Sequence, residues 1–349
     1  MIQELSELQI SAGAIFTSAI SEGVPVSFGN DAEAILASKQ GVVVCDRTHW
    51  GRLQISGQDR LRFLHNQTTN NFNILQPGEG CDTVFVTSTA RTIDLATAII
   101  TEDSILLIVS PNRRQKLLEL LDRYIFPMDK IELKDLTNST ATFSLIGLDS
   151  GKLLEKMGVP DLENQPYASH KLVEIQTEKE PVRIVVGSGL GTIGYTLICD
   201  ANLAANIWGE LVKNGAIPAG ERVWEQLRIK QGRPATDAEL TDEYNPLEAR
   251  LLHTISYQKG CYIGQETIAR LNTYKGVKQE LWGVRLSGDA EVGATVTMGE
   301  EKVGKVTSFT VTDDGPFALA YIRTKAGGKG LKVQVGEVEG EVVDLPFLS

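Results

Sequence analysis

The sequence predicts an α+β protein: two mixed helix-and-sheet modules followed by a small all-β barrel. Three observations carry this. Residues 53–127 read strand, helix, strand, strand, strand, helix, the order expected when helices cover one face of a mostly antiparallel sheet. A similar pattern recurs over residues 142–230. From Leu281 onward short alternating strands with glycine turns replace all helical periodicity, the texture of a barrel. The expected domains are therefore 1–137, 138–280 and 281–349.

In the first module, residues 41–46 form a short apolar run and residues 53–56 alternate, which predicts two strands. A Gly57-Gln58-Asp59 turn leads to a short helix over 60–66, where Leu61, Leu64 and His65 share a face. Turn chemistry at 70–73 and 76–80 precedes strands at 82–87 and 92–100, joined as a hairpin by 88–91. Residues 105–109 read as a buried strand. Ser110-Pro111 supplies an N-cap and an N1 proline for a helix whose stripe is Leu117, Leu120, Leu121, Tyr124 and Ile125, and Pro127 ends it.

The second module has strands at 142–146, 183–187 and 195–199, a helix over 202–214 and another over 221–230. The run Gly187-Ser188-Gly189-Leu190-Gly191 resembles a dinucleotide fingerprint only in its glycines. It enters a strand rather than a helix, so a hairpin turn is expected.

Composition bounds the function. With 34 basic and 45 acidic residues the net charge is −11, which disfavours non-specific nucleic-acid or acidic-membrane binding. Met1-Ile2-Gln3-Glu4-Leu5 lacks a leader's basic start, and no apolar run reaches the roughly 18 residues of a membrane span. A cytoplasmic protein is expected. Cys45, Cys81, Cys199 and Cys261 form no Cys-x-x-Cys pair, so neither a zinc ribbon nor a local iron-sulfur ligand set is written here. His49, His65, His170 and His253 show no metal-ligand spacing and read as surface or hydrogen-bonded histidines. Asp237, Glu239, Asp242, Glu243 and Glu248 read as a solvated acidic face.

The densest chemistry lies in Lys259-Gly260-Cys261-Tyr262-Ile263-Gly264-Gln265-Glu266. Two glycines and the helix-compatible residues after them predict a tight loop feeding a helix. Cys261 is the nucleophile candidate, its thiolate favoured by Lys259 and by the helix N-terminus. The ordinary alternative is a small buried hydrophobe. Arg228, on a helix beside Trp224, suits a ligand carboxylate, against the plainer reading of an exposed helix arginine.

The same octapeptide resembles the signature of the YgfZ family, folate-binding relatives of the glycine-cleavage T-protein that support maturation and repair of iron-sulfur proteins. The segments Arg228-Ile229-Lys230-Gln231-Gly232-Arg233-Pro234, Glu239-Leu240, Tyr244-Asn245-Pro246-Leu247-Glu248-Ala249, Gly304-Lys305-Val306-Thr307-Ser308 and Leu345-Pro346-Phe347 extend the likeness over most of the chain. The resemblance implies a T-protein-like ring of ferredoxin-like modules with tetrahydrofolate in a central hole. It implies folate contact for Arg228, and loop-orienting or binding roles for Tyr262 and Gln265. Thr192 stands where T-proteins carry the glutamate that holds the pterin. Asp94 matches one of two adjacent aspartates, and Leu95 replaces the other.

On this reading the chain is a tetrahydrofolate-binding accessory factor for iron-sulfur enzymes, including those that modify transfer RNA, with iron-sulfur client or assembly proteins as partners. The alternatives are a folate-dependent aminomethyltransferase relying on Asp94, and a non-catalytic scaffold.

Overall fold

The computed structural model describes residues 2–17, 23–159, 162, 164–175 and 180–348. Helices α1 (Ile2–Ser11) and α2 (Asp31–Gln40) precede strands β1 (Val43–Asp46) and β2 (Gly51–Ser56), helix α3 (Arg60–Gln67), and strands β3 (Gly80–Val86), β4 (Thr92–Ile100) and β5 (Ser104–Val109). Then come α4 (Arg114–Arg123), β6 (Glu132–Asp135), β7 (Thr140–Ile146), α5 (Ser150–Lys156), β8 (His170–Val173), β9 (Val182–Val186) and β10 (Gly194–Asp200). Helix α6 (Ala204–Lys213), strand β11 (Ile217–Ala219), helix α7 (Glu221–Gln231) and helix α8 (Gln265–Thr273) lead to β12 (Gln279–Leu286), β13 (Thr295–Met298), β14 (Glu301–Thr312), β15 (Gly315–Arg323), β16 (Lys332–Val335) and β17 (Val338–Val343).

The α+β class and the C-terminal barrel are as the sequence predicts. Packing divides the chain into two units, one of residues 1–61, 74–81 and 97–225, the other of 62–73, 82–96 and 226–349.

The first unit contains a six-stranded sheet of order β11-β1-β7-β10-β9-β8. Its pairs are antiparallel except β1 with β11. Leu5 of α1 and Ile207, Trp208 and Leu211 of α6 bury one face of this sheet against Val44, Phe143, Leu145 and Leu197. On the other face Val185 and Ile198 meet Ile99, Leu106 and Ile108 of the second sheet, whose order is β3-β4-β5-β2-β6. Strands β3 and β4 contribute residues to both units.

The glycine-rich run at 187–194 is the turn of the β9–β10 hairpin, closed by Gly187 N–H donating to Gly194 O at 2.9 Å. No helix opens there, which removes the dinucleotide reading.

In the second unit six strands close a barrel in the order β12-β15-β14-β13-β16-β17. Strand alternation sets its two cores. Ala318, Ala320 and Ile322 of β15 fill the barrel. Phe317, Leu319 and Tyr321 point the other way, into a core with Val84, Val86, Leu95, Ile229, Leu240 and Tyr244.

Several local expectations need correction. Helices α1 and α2 have no counterpart in the sequence reading. Helix α4 begins as a 3-10 turn at Pro111–Arg113, Ser110 makes no side-chain cap, and the helix stops at Arg123 before Tyr124 and Ile125. Only Leu117 and Leu121 of its stripe are buried.

Candidate functional site

The octapeptide loop lies in the second unit, and its conformation follows from what it does for α3. A helix leaves its last carbonyls without intrahelical partners. Here Asn66 O accepts from Ile263 N–H at 3.2 Å, and His65 O accepts from Lys259 Nζ at 2.5 Å. The same ammonium donates to Thr68 O at 2.7 Å and Asn70 O at 2.5 Å. Three donors thus meet three main-chain acceptors at the negative end of a helix. The charge also lies 4.7 Å from the centroid of the Tyr262 ring.

Tyr262 is buried among Ala90, Leu247, Ile255 and Ile268, and burial pushes its phenol up to about 12, so it stays neutral. Gly264 sits at φ +82° as the residue before α8. A Cβ there would lie 2.8 Å from Thr87 O and 2.9 Å from Val86 Cγ2, so the β3–β4 turn needs glycine as its neighbour. Gln265 Nε2 reaches back to Gly260 O at 3.4 Å.

Within this pinned loop Cys261 is exposed, whereas Cys45 and Cys199 are buried and Cys81 is intermediate. The buried-hydrophobe alternative therefore does not describe Cys261. The thiol stands ahead of α8, and the hydrogen bonds of Lys259 run to α3 and the segment after it rather than to sulfur. His65 flanks the loop: a Cβ on Gly260 would lie 3.5 Å from its Nε2. Burial, then the Lys259 charge, lowers the His65 pKa, which favours a neutral ring.

Arg228 occupies a second, internal constellation. It is 5% exposed, not a surface arginine, and Glu239 is 0% exposed. Arg228 Nη1 donates to Glu239 Oε2 and Nη2 to Ser308 Oγ, each at 2.9 Å. Ser308 Oγ donates to Glu239 Oε1 at 2.6 Å, Ala235 N–H to Glu239 Oε2 at 3.0 Å, and Tyr321 Oη to Glu239 O at 2.9 Å. A buried pair of this kind persists because each carboxylate oxygen accepts at least one hydrogen bond. The solvated-face reading thus fails for Glu239 and for the buried Glu248, though Asp237, Asp242 and Glu243 are exposed. Sequence reasoning misses the roles of Glu239, Ser308 and Tyr321, because only the barrel strands bring Ser308 to Arg228 and Tyr321 to Glu239.

Asp94 is fully buried on β4, on the face opposite Leu95, which joins the hydrophobic core. Thr192 lies in the first unit, in the β9–β10 turn, where its carbonyl accepts from Ser188 Oγ at 2.9 Å. The structure thus gathers Lys259, Cys261, Tyr262 and Gln265 in one loop and sets Arg228 in a separate network. A pterin presents a donor-rich edge that needs acceptors. The second unit holds the buried Asp94 carboxylate and Gln67 Oε1, which is buried without a hydrogen-bond partner. Both are acceptors, the complement such an edge requires, and they are the candidate holders of a reduced folate. Among the described residues no group of three or more His, Cys, Asp or Glu is placed to bind a metal ion, and no helix is long and apolar enough to cross a membrane.

Comparison with known proteins agrees with this architecture. The family model of the GCVT N-terminal domain matches residues 5–259. A chloroplastic protein of Arabidopsis thaliana that carries the provisional name of a transferase is 47% identical over 99% of this chain and 79% of its own. An aminomethyltransferase of Mycolicibacterium paratuberculosis is 27% identical over 93% of this chain and 91% of its own. The crystal structure of the glycine cleavage system aminomethyltransferase T of Bartonella henselae superposes with a TM-score of 0.83 at 18% identity, covering 99% of this chain and 97% of that one. With the GCVT model spanning most of the sequence and the fold reproduced to the closed barrel, the chain belongs to the aminomethyltransferase-like GCVT family.

Proposed function

We propose that the protein binds tetrahydrofolate and serves, in the manner of the YgfZ group, as an accessory factor for assembly or repair of iron-sulfur proteins, with Cys261 as its working thiol. The observation that supports this most is the exposure of Cys261 in a loop whose other members are fastened: Lys259 to three carbonyls, Tyr262 in a core, Gly264 against the β3–β4 turn. A thiol presented on a rigid support suits transient exchange with a partner. One cysteine supplies one of the roughly four ligands a cluster needs, so any cluster contact is shared with the client. No disulfide joins the four thiols, which suits a reducing compartment such as the cytoplasm.

The test is genetic and biochemical together. Cells lacking the protein are assayed for an iron-sulfur enzyme under oxidative stress, with wild type or Cys261→Ala supplied back. Rescue by wild type alone supports the reading, and equal rescue removes the thiol from it. Separately, tetrahydrofolate at about 100 times its dissociation constant adds about 2.7 kcal/mol to stability. A titration without any shift in melting removes the folate.

A second reading, folate-dependent aminomethyl transfer, is favoured by the buried Asp94 and by relatives named aminomethyltransferases. It requires that Asp94→Asn abolish formation of methylene-tetrahydrofolate by the purified protein.

A further inference from the structure

The first unit carries an open cleft of about 630 Å³, within the range of small-molecule sites. None of Asp94, Arg228, Thr192 or Cys261 lines it, so it is separate from the residues assigned to folate and thiol chemistry.

Its chemistry is graded by depth. Inside stands His170, 6% exposed, with Nε2 2.8 Å from Ile100 O and Nδ1 2.8 Å from Arg183 Nη1. A guanidinium only donates, so Nδ1 is the acceptor and the proton of the neutral ring sits on Nε2, donating to Ile100 O. Burial lowers the His170 pKa to about 4, in keeping with a ring that stays neutral. The imidazole therefore orients Arg183 and takes one of its five N–H groups. Beyond this bond the guanidinium feels the charge of Asp103, with no direct hydrogen bond between the two among the described residues.

Leu106, Leu136 and Ile198 give the cavity an apolar wall. At the mouth stand Glu102, Asp103, Glu180 and Asp200, all exposed. An arginine fork aimed by a buried histidine suits a carboxylate, whereas an acidic mouth repels a plain anion and draws a cation. Both demands are met when the two charges sit on one molecule.

We propose that this cavity binds a small zwitterion, a compound bearing a carboxylate and an amine on an apolar body, with the carboxylate on Arg183 and the amine toward Asp103 and its neighbours. Aliphatic α-amino acids and short apolar peptides belong to this class.

The test uses the full chain and calorimetric titration with L-leucine and leucyl-leucine. N-acetyl-leucine, which lacks the amine, and leucinamide, which lacks the carboxylate, serve as controls. Saturable binding of at least one zwitterion is expected, with each single-charge analogue weaker by about tenfold or more and Arg183→Met weakening the zwitterion to a similar degree. Tetrahydrofolate binding, measured in parallel, is expected to be the same in wild type and Arg183→Met. If Arg183→Met fails to fold, Asp103→Asn, at an exposed position, carries the comparison and is expected to weaken the zwitterion. Absence of saturable binding by both zwitterions overturns the proposal. So does equal binding by the analogues, or unchanged affinity in the variant that folds.

Discussion

Replacing Lys259 by methionine separates two accounts of that residue. Methionine keeps much of the side-chain length and removes the ammonium, so the carbonyls of His65, Thr68 and Asn70 each lose a charged donor. Hydrogen bonds to charged groups contribute about 1.5–3 kcal/mol each. These three share one partly buried ammonium and are not additive, so a loss of about 3–5 kcal/mol is expected, from three carbonyls left short of a donor. At about 2–4 °C per kcal/mol the melting midpoint should fall by about 10 °C. Lys259→Arg should recover little, because a planar fork does not match three acceptors gathered around one nitrogen. The assay is thermal unfolding, paired with the rate of Cys261 alkylation in the folded protein at fixed pH, read by mass spectrometry. A strut predicts a large fall in midpoint with that rate little changed. Unchanged stability with much slower alkylation would mean that Lys259 acts on sulfur through its charge, and the strut would be wrong.

Other consequences follow from the same geometry. Gly264→Ala places a Cβ 2.8 Å from Thr87 O at a φ of +82°, which should cost about 1–3 kcal/mol of strain; urea unfolding that matches wild type would show that the β3–β4 turn yields. Glu239→Gln leaves the Arg228 guanidinium buried without its counter-charge. A loss of about 3–5 kcal/mol is expected, seen as a lower urea midpoint at unchanged slope. Burial holds the folded His170 pKa at about 4, against 6.5 for an ordinary histidine. Below 6.5 the unfolded chain takes up a proton that the folded one refuses, so stability is full above that pH and declines as pH falls toward 4. His170→Gln should flatten that part of the stability–pH curve, and an identical slope in the variant would assign the loss to other groups.

What the sequence discloses depends on how far apart the interacting residues lie. The β3–β4 hairpin, the β5 run, the β9–β10 turn and the barrel texture are written in neighbours, and periodicity finds them. Helix α2 carries a brief apolar signal, with Ala34 and Ile35 buried among polar residues, and so escapes the pattern. Strand β11 is three residues long and is held by parallel pairing with β1, at Val43↔Ile217 and Cys45↔Ala219. No local window contains that information.

The site divides along the same line. The loop at Cys261 is legible because glycines, a helix start and a lysine stand side by side. Arg228 and Glu239 are not, since a charge looks solvated until its partners are known. Ser308 lies 80 residues from Arg228, and Tyr321 lies 82 from Glu239. Proximity in sequence also misleads. Lysine two residues before a cysteine invites a direct effect on the thiol, yet the ammonium is held by carbonyls near residues 65–70, at the end of α3. A lysine that serves as an anchor and one that tunes a thiolate look identical in a motif. They differ in what lies within 3 Å of the nitrogen, and here those atoms are the carbonyl oxygens of His65, Thr68 and Asn70.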